Sequence, residues 1–358
     1  MRMQPLIEVV NTVGPDDAVH RMKSQPLRHL LPHLAFVRPA LWGRDAGKGA
    51  PDVRPAAGVI LRIEPSASHV DRVLPWLRGR CESAVIMMHL PDFSPAHRSL
   101  LRKLDEVVDL YMVPTPEMRT VVSAFTERHV EVLIDPIDFG LETSRRHPVR
   151  PSSGPLRVMW FGYPDSFRKS MSGYLPALEA LCLSGEIEFH VVTRRPAYGA
   201  KSFYTVHRYD PTTFIDDARR FDVCLLSHQS FDFSLATWSK SENKAVLAMT
   251  LGLPVAASRT PAYRRLLAGC GLSDFLFSSR AELAAVLRRL ADRPTRVDYL
   301  RKCQAPVLQA YGVRRMANDW QALFERELRE RRLSIPSVLP EDRLQLQALA
   351  TRLAADGR

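Results

Sequence analysis

The chain lacks the features that mark several specialised classes of protein. It has only five cysteines in 358 residues, an odd number with no C-x-x-C pair, which argues against a disulfide framework and a structural zinc site. No apolar run reaches the roughly 20 residues of a membrane span, and the N-terminal segment has no signal-peptide core. We therefore expect a cytoplasmic protein.

Common catalytic motifs are also missing. The sequence has no G-x-S-x-G elbow, H-E-x-x-H pair, EF-hand loop, Walker-type loop or G-x-G-x-x-G turn. Aromatic residues make up 8% of the chain, and they do not alternate with basic residues as in an RNA-binding sheet. We therefore expect no nucleic-acid partner, although the net charge is +11. That charge suits anionic lipid or a nucleotide diphosphate, and an arginine bias without function is the alternative.

What the sequence does contain is a regular alternation of strand and helix patterns. Such alternation predicts parallel sheets of the α/β class, and the length suits two domains. We predict a Rossmann-like N-terminal domain over 1–140, a linker over 141–156, a second Rossmann-like domain over 157–332 and a helical tail over 333–358. The strands are predicted at 58–64, 84–89, 110–113, 130–134, 157–162, 188–193, 221–226 and 255–258, and the main helices at 173–184, 281–291 and 314–331.

One segment of the second domain carries a concentrated signal for phosphate binding. Ser239 and Glu242 have capping-box spacing, which predicts a helix beginning there, and Gly252 stands where a helix C-terminal glycine belongs. A helix N-terminus presents free backbone N–H groups and a positive dipole end to anions. Lys240 and Lys244 add two cations. An ordinary capped crossover with solvated lysines gives the same local pattern.

The pattern N-K-x4-M-x2-G-L-P-V, from Asn243 to Val255, resembles the donor-binding signature of GT-B glycosyltransferases. The similarity is to the large retaining nucleotide-sugar family (group 1, family 4-like). It implies two Rossmann-like domains with parallel sheets facing across a cleft, with C-terminal helices reaching back toward the first domain. The first domain would hold the acceptor and the second the nucleotide-diphosphate sugar. The resemblance implies metal-independent, retaining transfer to a glycan, lipid-linked glycan or other hydroxyl, as in polysaccharide biosynthesis.

The chain departs from that family at two positions. The family often has two glutamates eight residues apart, and here those positions hold Ser239 and Leu247. Ser239 supplies only a neutral hydrogen bond, and Glu242 is a displaced acidic candidate. A GT-B-like binding protein without turnover and a polyol-phosphate transferase therefore remain open as alternatives.

Donor-binding candidates lie after three predicted strands of the second domain. The loop 162–169 follows the first strand, and its basic residues suit a diphosphate leaving group. The loop after the strand at 221–226 adds polar groups. No cysteine or glutamate stands at metal-ligand spacing from the histidines, so we expect no metal and no cofactor. The donor candidates are Gly162, Arg168, Lys169, His228, Gln229, Lys240, Asn243 and Lys244.

Catalytic and acceptor candidates complete the prediction. His89 ends a buried strand with Asp92 nearby, a place for donor contact or proton transfer, and a structural loop histidine is the alternative. Ser239 and Glu242 join His89 and Asp92 as catalytic candidates. For the acceptor we predict Asn11 and Gly14, where a plain turn is the other interpretation.

A basic–apolar patch near the N-terminus predicts a peripheral contact with an anionic membrane at the inner face of the plasma membrane. Its members are Arg21, Lys23, Arg28, Leu30, Leu31, Leu34, Arg38, Trp42 and Arg44.

Overall fold

A computed structural model of the chain describes residues 7–11, 34–37, 58–62, 67–79, 84–91, 93, 97–137, 149, 154–194, 202–210, 213–228 and 235–330. The chain forms two compact units. The first unit is discontinuous and consists of the chain up to Phe139 and from Val313 onward. The second unit spans Gly140–Gly312. Within the described ranges, no helix is both long and apolar enough to span a bilayer.

The first unit is built on a six-stranded sheet in which every neighbouring pair is parallel. Its strand order is β2-β1-β3-β4-β5-β6, the flavodoxin-like doubly wound order with a sixth strand added. The central strands β4 and β5 are buried along their whole length, as continuous apolar runs in parallel sheets are. The elements are β1 (Ile7–Asn11), β2 (Leu34–Val37), β3 (Gly58–Arg62), α1 (Ala67–Arg78), β4 (Val85–His89), α2 (Arg98–Leu104), β5 (Leu110–Val113), α3 (Pro116–Ser123) and β6 (His129–Val132).

The second unit has its own six-stranded, all-parallel sheet. Its order is β12-β11-β10-β7-β8-β9. Its elements are β7 (Leu156–Phe161), α4 (Pro164–Met171), α5 (Leu175–Leu183), β8 (Ile187–Thr193), β9 (Tyr204–Arg208), α6 (Phe214–Ala218), β10 (Val223–Leu226), α7 (Leu235–Trp238), α8 (Asn243–Thr250), β11 (Val255–Ser258), α9 (Pro261–Gly269), a 3-10 turn (Ser273–Phe275), β12 (Leu276–Phe277), α10 (Arg280–Ala291) and α11 (Arg293–Tyr311).

The strand order of the second unit locates its ligand crevice. Counted from β7 as the first strand, the order reads 3-2-1-4-5-6, that of dinucleotide-binding sheets. The order reverses between β7 and β10, which pair directly through Val158 with Val223 and Met159 with Cys224. Ligands in such sheets bind outside the carboxyl ends of the strands at this reversal. The relevant positions are those following Phe161 and Leu226.

An aspartate performs the same structural task in each sheet. In the first unit the Ile86 N–H donates to Asp109 Oδ2 at 2.7 Å. In the second unit the Arg157 N–H donates to Asp222 Oδ2 at 3.0 Å. Each aspartate directly precedes a strand and bonds to the backbone of the neighbouring strand, so it helps to fix the pairing at the amino end of the sheet.

The predicted start of the helix near Ser239 and Glu242 was wrong, although its predicted end at Gly252 was right. The helix α8 begins at Asn243, with Glu242 as its N-cap residue and no side-chain capping bond. Its end is a Schellman motif, in which the Leu253 N–H bonds to Ala248 O and the Gly252 N–H to Met249 O. Gly252 has a φ of +81°, which glycine adopts without strain.

Other local predictions differ from the structure for identifiable reasons. The predicted loop 162–169 is mostly helix, because Pro164 occupies the first position of α4, where a missing N–H costs nothing. The sequence pattern did not predict α11, a 19-residue helix with Pro306 in its interior, since an internal proline breaks helical patterns. It also missed β9, an edge strand whose side chains are half-buried or exposed.

The last described helix, α12 (Val313–Glu330), belongs to the first unit. Arg326 Nη2 donates to Glu131 Oε2 at 2.7 Å, and the Trp320 ring centroid lies 6.2 Å from that of His89. The second unit therefore ends at Gly312, whereas the sequence predicted its end at 332. The predicted tail over 333–358 and most of the predicted linker over 141–156 lie outside the described residues.

Candidate functional site

The carboxyl end of β7 is shaped for close approach by another group. Gly162 follows the strand directly, and a Cβ placed there would lie 2.7 Å from Lys244 Nζ and 2.7 Å from Trp160 Cη2. Any larger residue would displace one of these side chains. Gly162 thus lets the second residue of α8 reach the strand end at the reversal of the sheet.

Lys244 is held against the end of β7 by aromatic rings. Its Nζ lies 5.3 Å from the centroid of the Trp160 ring and 5.8 Å from that of Phe161. A lysine ammonium within about 6 Å of a ring centroid is attracted by the ring quadrupole. Trp160 is 1% exposed, so the ring is a fixed support. This arrangement places a cation beside the N-terminus of α8, where free N–H groups also favour an anion.

The start of α8 is fixed by a buried polar network. Glu242 is 1% exposed, and its Oε1 accepts hydrogen bonds of 2.7 Å from both Arg265 Nη2 and Tyr311 Oη. Burial is the largest influence on this carboxyl and raises its pKa, while the Arg265 cation and the Tyr311 bond oppose the rise. Because the carboxylate points into this network, its clearest task is to attach α8 to α9 and α11. Its predicted catalytic role stays a prediction.

His228 stands two residues beyond β10, on the other side of the reversal. Its Nε2 lies 3.0 Å from Tyr263 Oη, and the two rings stack with centroids 5.2 Å apart at 17°. The His228 N–H donates to Ser258 Oγ at 3.0 Å. Burial, followed by the charges of Lys244 and Lys240, lowers the pKa of His228 to about 3. The imidazole is therefore neutral at physiological pH.

These placements bring together part of the predicted donor site. Gly162 and Lys244 are adjacent, and Lys240 and Lys244 lie near enough to His228 to lower its pKa. We call Gly162, His228, Lys240 and Lys244 the switch-point cluster. Asn243 begins α8 beside it.

Two basic residues predicted for the diphosphate have a different setting. Arg168 and Lys169 lie in the last turn of α4 and are exposed. Arg168 pairs with Asp165, and both side chains are more than two-thirds exposed, at 71% and 75%. Ser239 follows α7 and is 1% exposed. Their predicted roles are not tested by these positions.

In the first unit, His89 lies beside an aspartate that the sequence did not predict for it. His89 ends β4 and is 2% exposed, and its Nε2 lies 3.9 Å from Oδ1 of Asp135, which is 3% exposed. Asp135 lies just beyond β6, so both residues occupy the carboxyl edge of the sheet. Asp92 lies outside the described residues.

Asn11 ends β1 and pairs with Arg62 of β3, at the point where this sheet also reverses its order.

Some predicted positions have no described structure. Gly14 and Gln229 lie outside the described residues, and so do the side chains of the whole basic–apolar patch over 21–44. In the parts of the chain that the structure does describe, no three His, Cys, Asp or Glu side chains group so as to hold a metal ion.

Similarity to solved structures agrees with this architecture. Two solved structures each match 89% of this chain with a TM-score of 0.60 and 12% sequence identity. One is described as trehalose-6-phosphate from E. coli bound with UDP-2-fluoro glucose, of which 98% is covered. The other is WaaG, a glycosyltransferase involved in lipopolysaccharide biosynthesis, of which 99% is covered. The chain has the GT-B fold. TarM is similar at 10% identity with a TM-score of 0.56, over 75% of this chain and 54% of TarM.

Identities this low establish the fold alone. No protein-family model matches the sequence, and no curated protein matches it significantly. The fold predicted from the signature segment is thereby confirmed at the level of two Rossmann-like units with parallel sheets.

Four side chains that complete the site were missed by sequence reasoning. Trp160 supports Lys244, Tyr263 bonds to His228, and Arg265 and Tyr311 hold Glu242. Trp160 had a usable signal, because it stands two residues before Gly162, and residues i and i+2 of a strand lie on the same face of the sheet. The other three come from α9 and α11, whose patterns give no link to α8.

Proposed function

We propose that the protein is a glycosyltransferase of the EC 2.4 class that uses a nucleotide-diphosphate sugar. The observation that carries this proposal is the convergence of Lys244 and the N-terminus of α8 on Gly162, at the strand reversal of a GT-B unit. A crevice at this point suits a nucleotide, and the cation with the helix dipole suits its phosphates. The two similar structures named above are a protein bound to a UDP-sugar analogue and a glycosyltransferase.

The chemistry of transfer explains why cations are needed at this place. The bond between the anomeric carbon and the diphosphate oxygen breaks, the acceptor hydroxyl oxygen bonds to that carbon, and the hydroxyl proton passes to the leaving diphosphate. The leaving nucleotide diphosphate gains negative charge as the bond breaks. Positioned cations and N–H donors lower the barrier because they stabilise charge that develops in the transition state. Lys240 and Lys244 would supply this stabilisation without a metal.

The acceptor is proposed to be a hydroxyl of a glycan or lipid-linked glycan, with retention of the anomeric configuration. Support for the acceptor side comes from the first unit, where His89 and Asp135 meet at the carboxyl edge of the sheet. A cytoplasmic location, with contact to an anionic membrane surface, completes the proposal.

A binding protein of the same fold without turnover is the second candidate. Ser239 is buried and Leu247 is apolar, so the two family glutamate positions offer no carboxylate to a donor. Binding of nucleotide without transfer or donor hydrolysis would favour this candidate.

The test begins with a thermal-shift and calorimetric panel of nucleoside diphosphates and nucleotide sugars. Wild type, Lys244→Met and the control Lys302→Met are compared, because Lys302 is a half-exposed lysine of α11 that pairs with Asp298. We expect saturable binding of one nucleotide family, lost in Lys244→Met and kept in Lys302→Met. Release of the nucleoside diphosphate and the anomeric configuration of the product are then read by NMR. Folded wild type that binds none of these ligands would rule out the proposed donor site.

A further inference from the structure

Tyr263 and His228 form a hydrogen-bonded, stacked pair at the end of β10. The phenol Oη lies 3.0 Å from His228 Nε2, and the rings are nearly parallel. Tyr263 is 1% exposed, and a buried phenol hydroxyl needs an acceptor for its proton. Burial raises the pKa of Tyr263, so the hydroxyl keeps that proton at physiological pH.

The direction of this hydrogen bond decides the chemistry of the imidazole. Among the described residues, the Tyr263 hydroxyl has no other partner within hydrogen-bond distance, so it donates to Nε2. A neutral imidazole carries one proton, and the nitrogen that accepts a bond cannot hold it. The proton must then be on Nδ1. This nitrogen makes no hydrogen bond to a described residue, and His228 as a whole is partly exposed.

We propose that Tyr263 is a positioning residue that fixes His228 as an Nδ1–H donor to the phosphates of the nucleotide. The inference rests on the proposed function, since the ligand is the nucleotide diphosphate proposed to bind at the switch-point cluster. Burial first, and then the charges of the same lysines that suit the anion, keep the imidazole neutral, so His228 donates a hydrogen bond without adding a positive charge. His228 would supply a hydrogen bond of fixed direction to the phosphates, while Lys240 and Lys244 would supply positive charge.

The tautomer can be measured on the free protein. In wild type labelled with ¹⁵N-histidine, long-range ¹H–¹⁵N NMR reports which ring nitrogen of His228 is protonated, with His228→Asn used for assignment. We expect Nδ1–H in wild type and a shift toward Nε2–H in Tyr263→Phe. Tyr299→Phe is the matched control, because Tyr299 is also buried and loses one bond, to Val255 O at 3.1 Å. An Nε2–H tautomer in wild type, or no change in Tyr263→Phe, overturns the proposal.

Binding of the nucleotide tests the second half of the proposal. Loss of one hydrogen bond to a charged ligand should weaken affinity about tenfold or more in Tyr263→Phe, with no such loss in Tyr299→Phe. His228→Asn should bind more tightly than His228→Gln, because the asparagine amide places an N–H where Nδ1 stands. This order is independent of whether Tyr263→Phe folds. Equal affinities of the two variants would overturn a role for Nδ1.

The two proposals fail in different ways. If wild type binds no nucleotide, the donor-site proposal fails and His228 is no phosphate donor. The free-protein tautomer still decides whether Tyr263 orients the ring.

Discussion

The hydroxyl of Tyr311, the last residue of α11, donates a 2.7 Å hydrogen bond to Oε1 of Glu242, the residue directly before α8. The bond joins the proposed phosphate-binding helix to the residue just before Gly312, where the chain leaves the second unit. Arg265 shares the same oxygen. The position of α8 therefore depends on one buried carboxyl group.

Removal of that carboxyl should cost stability. In Glu242→Ala, the buried Tyr311 hydroxyl and the Arg265 guanidinium lose their common acceptor. A buried hydroxyl that loses its acceptor costs about 1–3 kcal/mol, so the change at Tyr311 alone should give a clear drop in the free energy of unfolding. Glu242→Gln keeps an acceptor oxygen and should lose much less. Urea denaturation of the three proteins gives the values, and similar losses in both variants would show that the hydrogen bonds are not the cause.

The pH dependence of the same pair follows from the direction of the pKa shift. The folded-state pKa of Glu242 lies above its ordinary value of 4.5, so the folded state binds more protons than the unfolded state between the two values. The stability that Glu242 contributes is therefore full below pH 4.5 and falls as pH rises through the folded pKa. We expect wild type to lose stability relative to Glu242→Gln over that rise. Denaturation at several pH values checks this, and an opposite trend would mean that Arg265 outweighs burial.

Gly162→Ala should disturb the proposed donor site while leaving the sheet intact. The new Cβ would meet Lys244 Nζ and Trp160 Cη2, both at 2.7 Å. The flexible end of Lys244 shifts more readily than the buried Trp160 ring, so we expect the lysine to move. We expect nucleotide affinity to fall about tenfold, as for a lost charged hydrogen bond. Gly185→Ala is the control, because it also has a positive φ and a Cβ there meets nothing within 4 Å. Equal effects of the two variants on affinity would argue against a special role for Gly162.

A histidine pair on β8 and β9 should make the second unit sensitive to acid. His190 Nδ1 lies 3.1 Å from His207 Nε2, with Glu188 and Arg157 as neighbouring charges. Burial first, and then His207, lower the pKa of His190 below 6.5. The unfolded chain then binds more protons, so the stability contributed above pH 6.5 is lost as pH falls through the folded pKa.

The measurement compares wild type with His190→Gln in urea at pH 7.5 and pH 5.5. Wild type should lose more stability on acidification than the variant does. His129→Gln serves as the control, because His129 is an exposed histidine of the first unit. A variant as acid-sensitive as wild type would assign the effect to other groups.

Chelation should leave nucleotide binding and sugar transfer unchanged. The proposed charge stabilisation comes from Lys240, Lys244 and the N-terminus of α8, which need no metal. Assays with and without excess EDTA, followed by addition of Mg²⁺ or Mn²⁺, measure this directly. A loss of transfer on chelation that Mg²⁺ or Mn²⁺ restores would contradict the metal-independent proposal.

The sequence by itself determined the α/β class, most of the buried strands and the C-terminal end of α8. These depend on local chemistry, since apolar runs specify buried strands and Gly252 permits the φ that ends the helix. The resemblance over Asn243–Val255 also predicted the fold that the structure confirms. The predicted start of α8 was wrong, because the Glu242 side chain bonds to Arg265 and Tyr311 and makes no capping bond.

Only the tertiary structure decided which side chains meet at the site. Lys244 reaches Gly162 because the chain reverses its strand order between β7 and β10, which brings together residues about 80 positions apart. Tyr263 and Tyr311 reach their partners from other helices. The assignment of α12 to the first unit likewise depends on contacts with β4 and β6. Such pairings depend on how whole helices and strands pack, and local sequence patterns do not predict them.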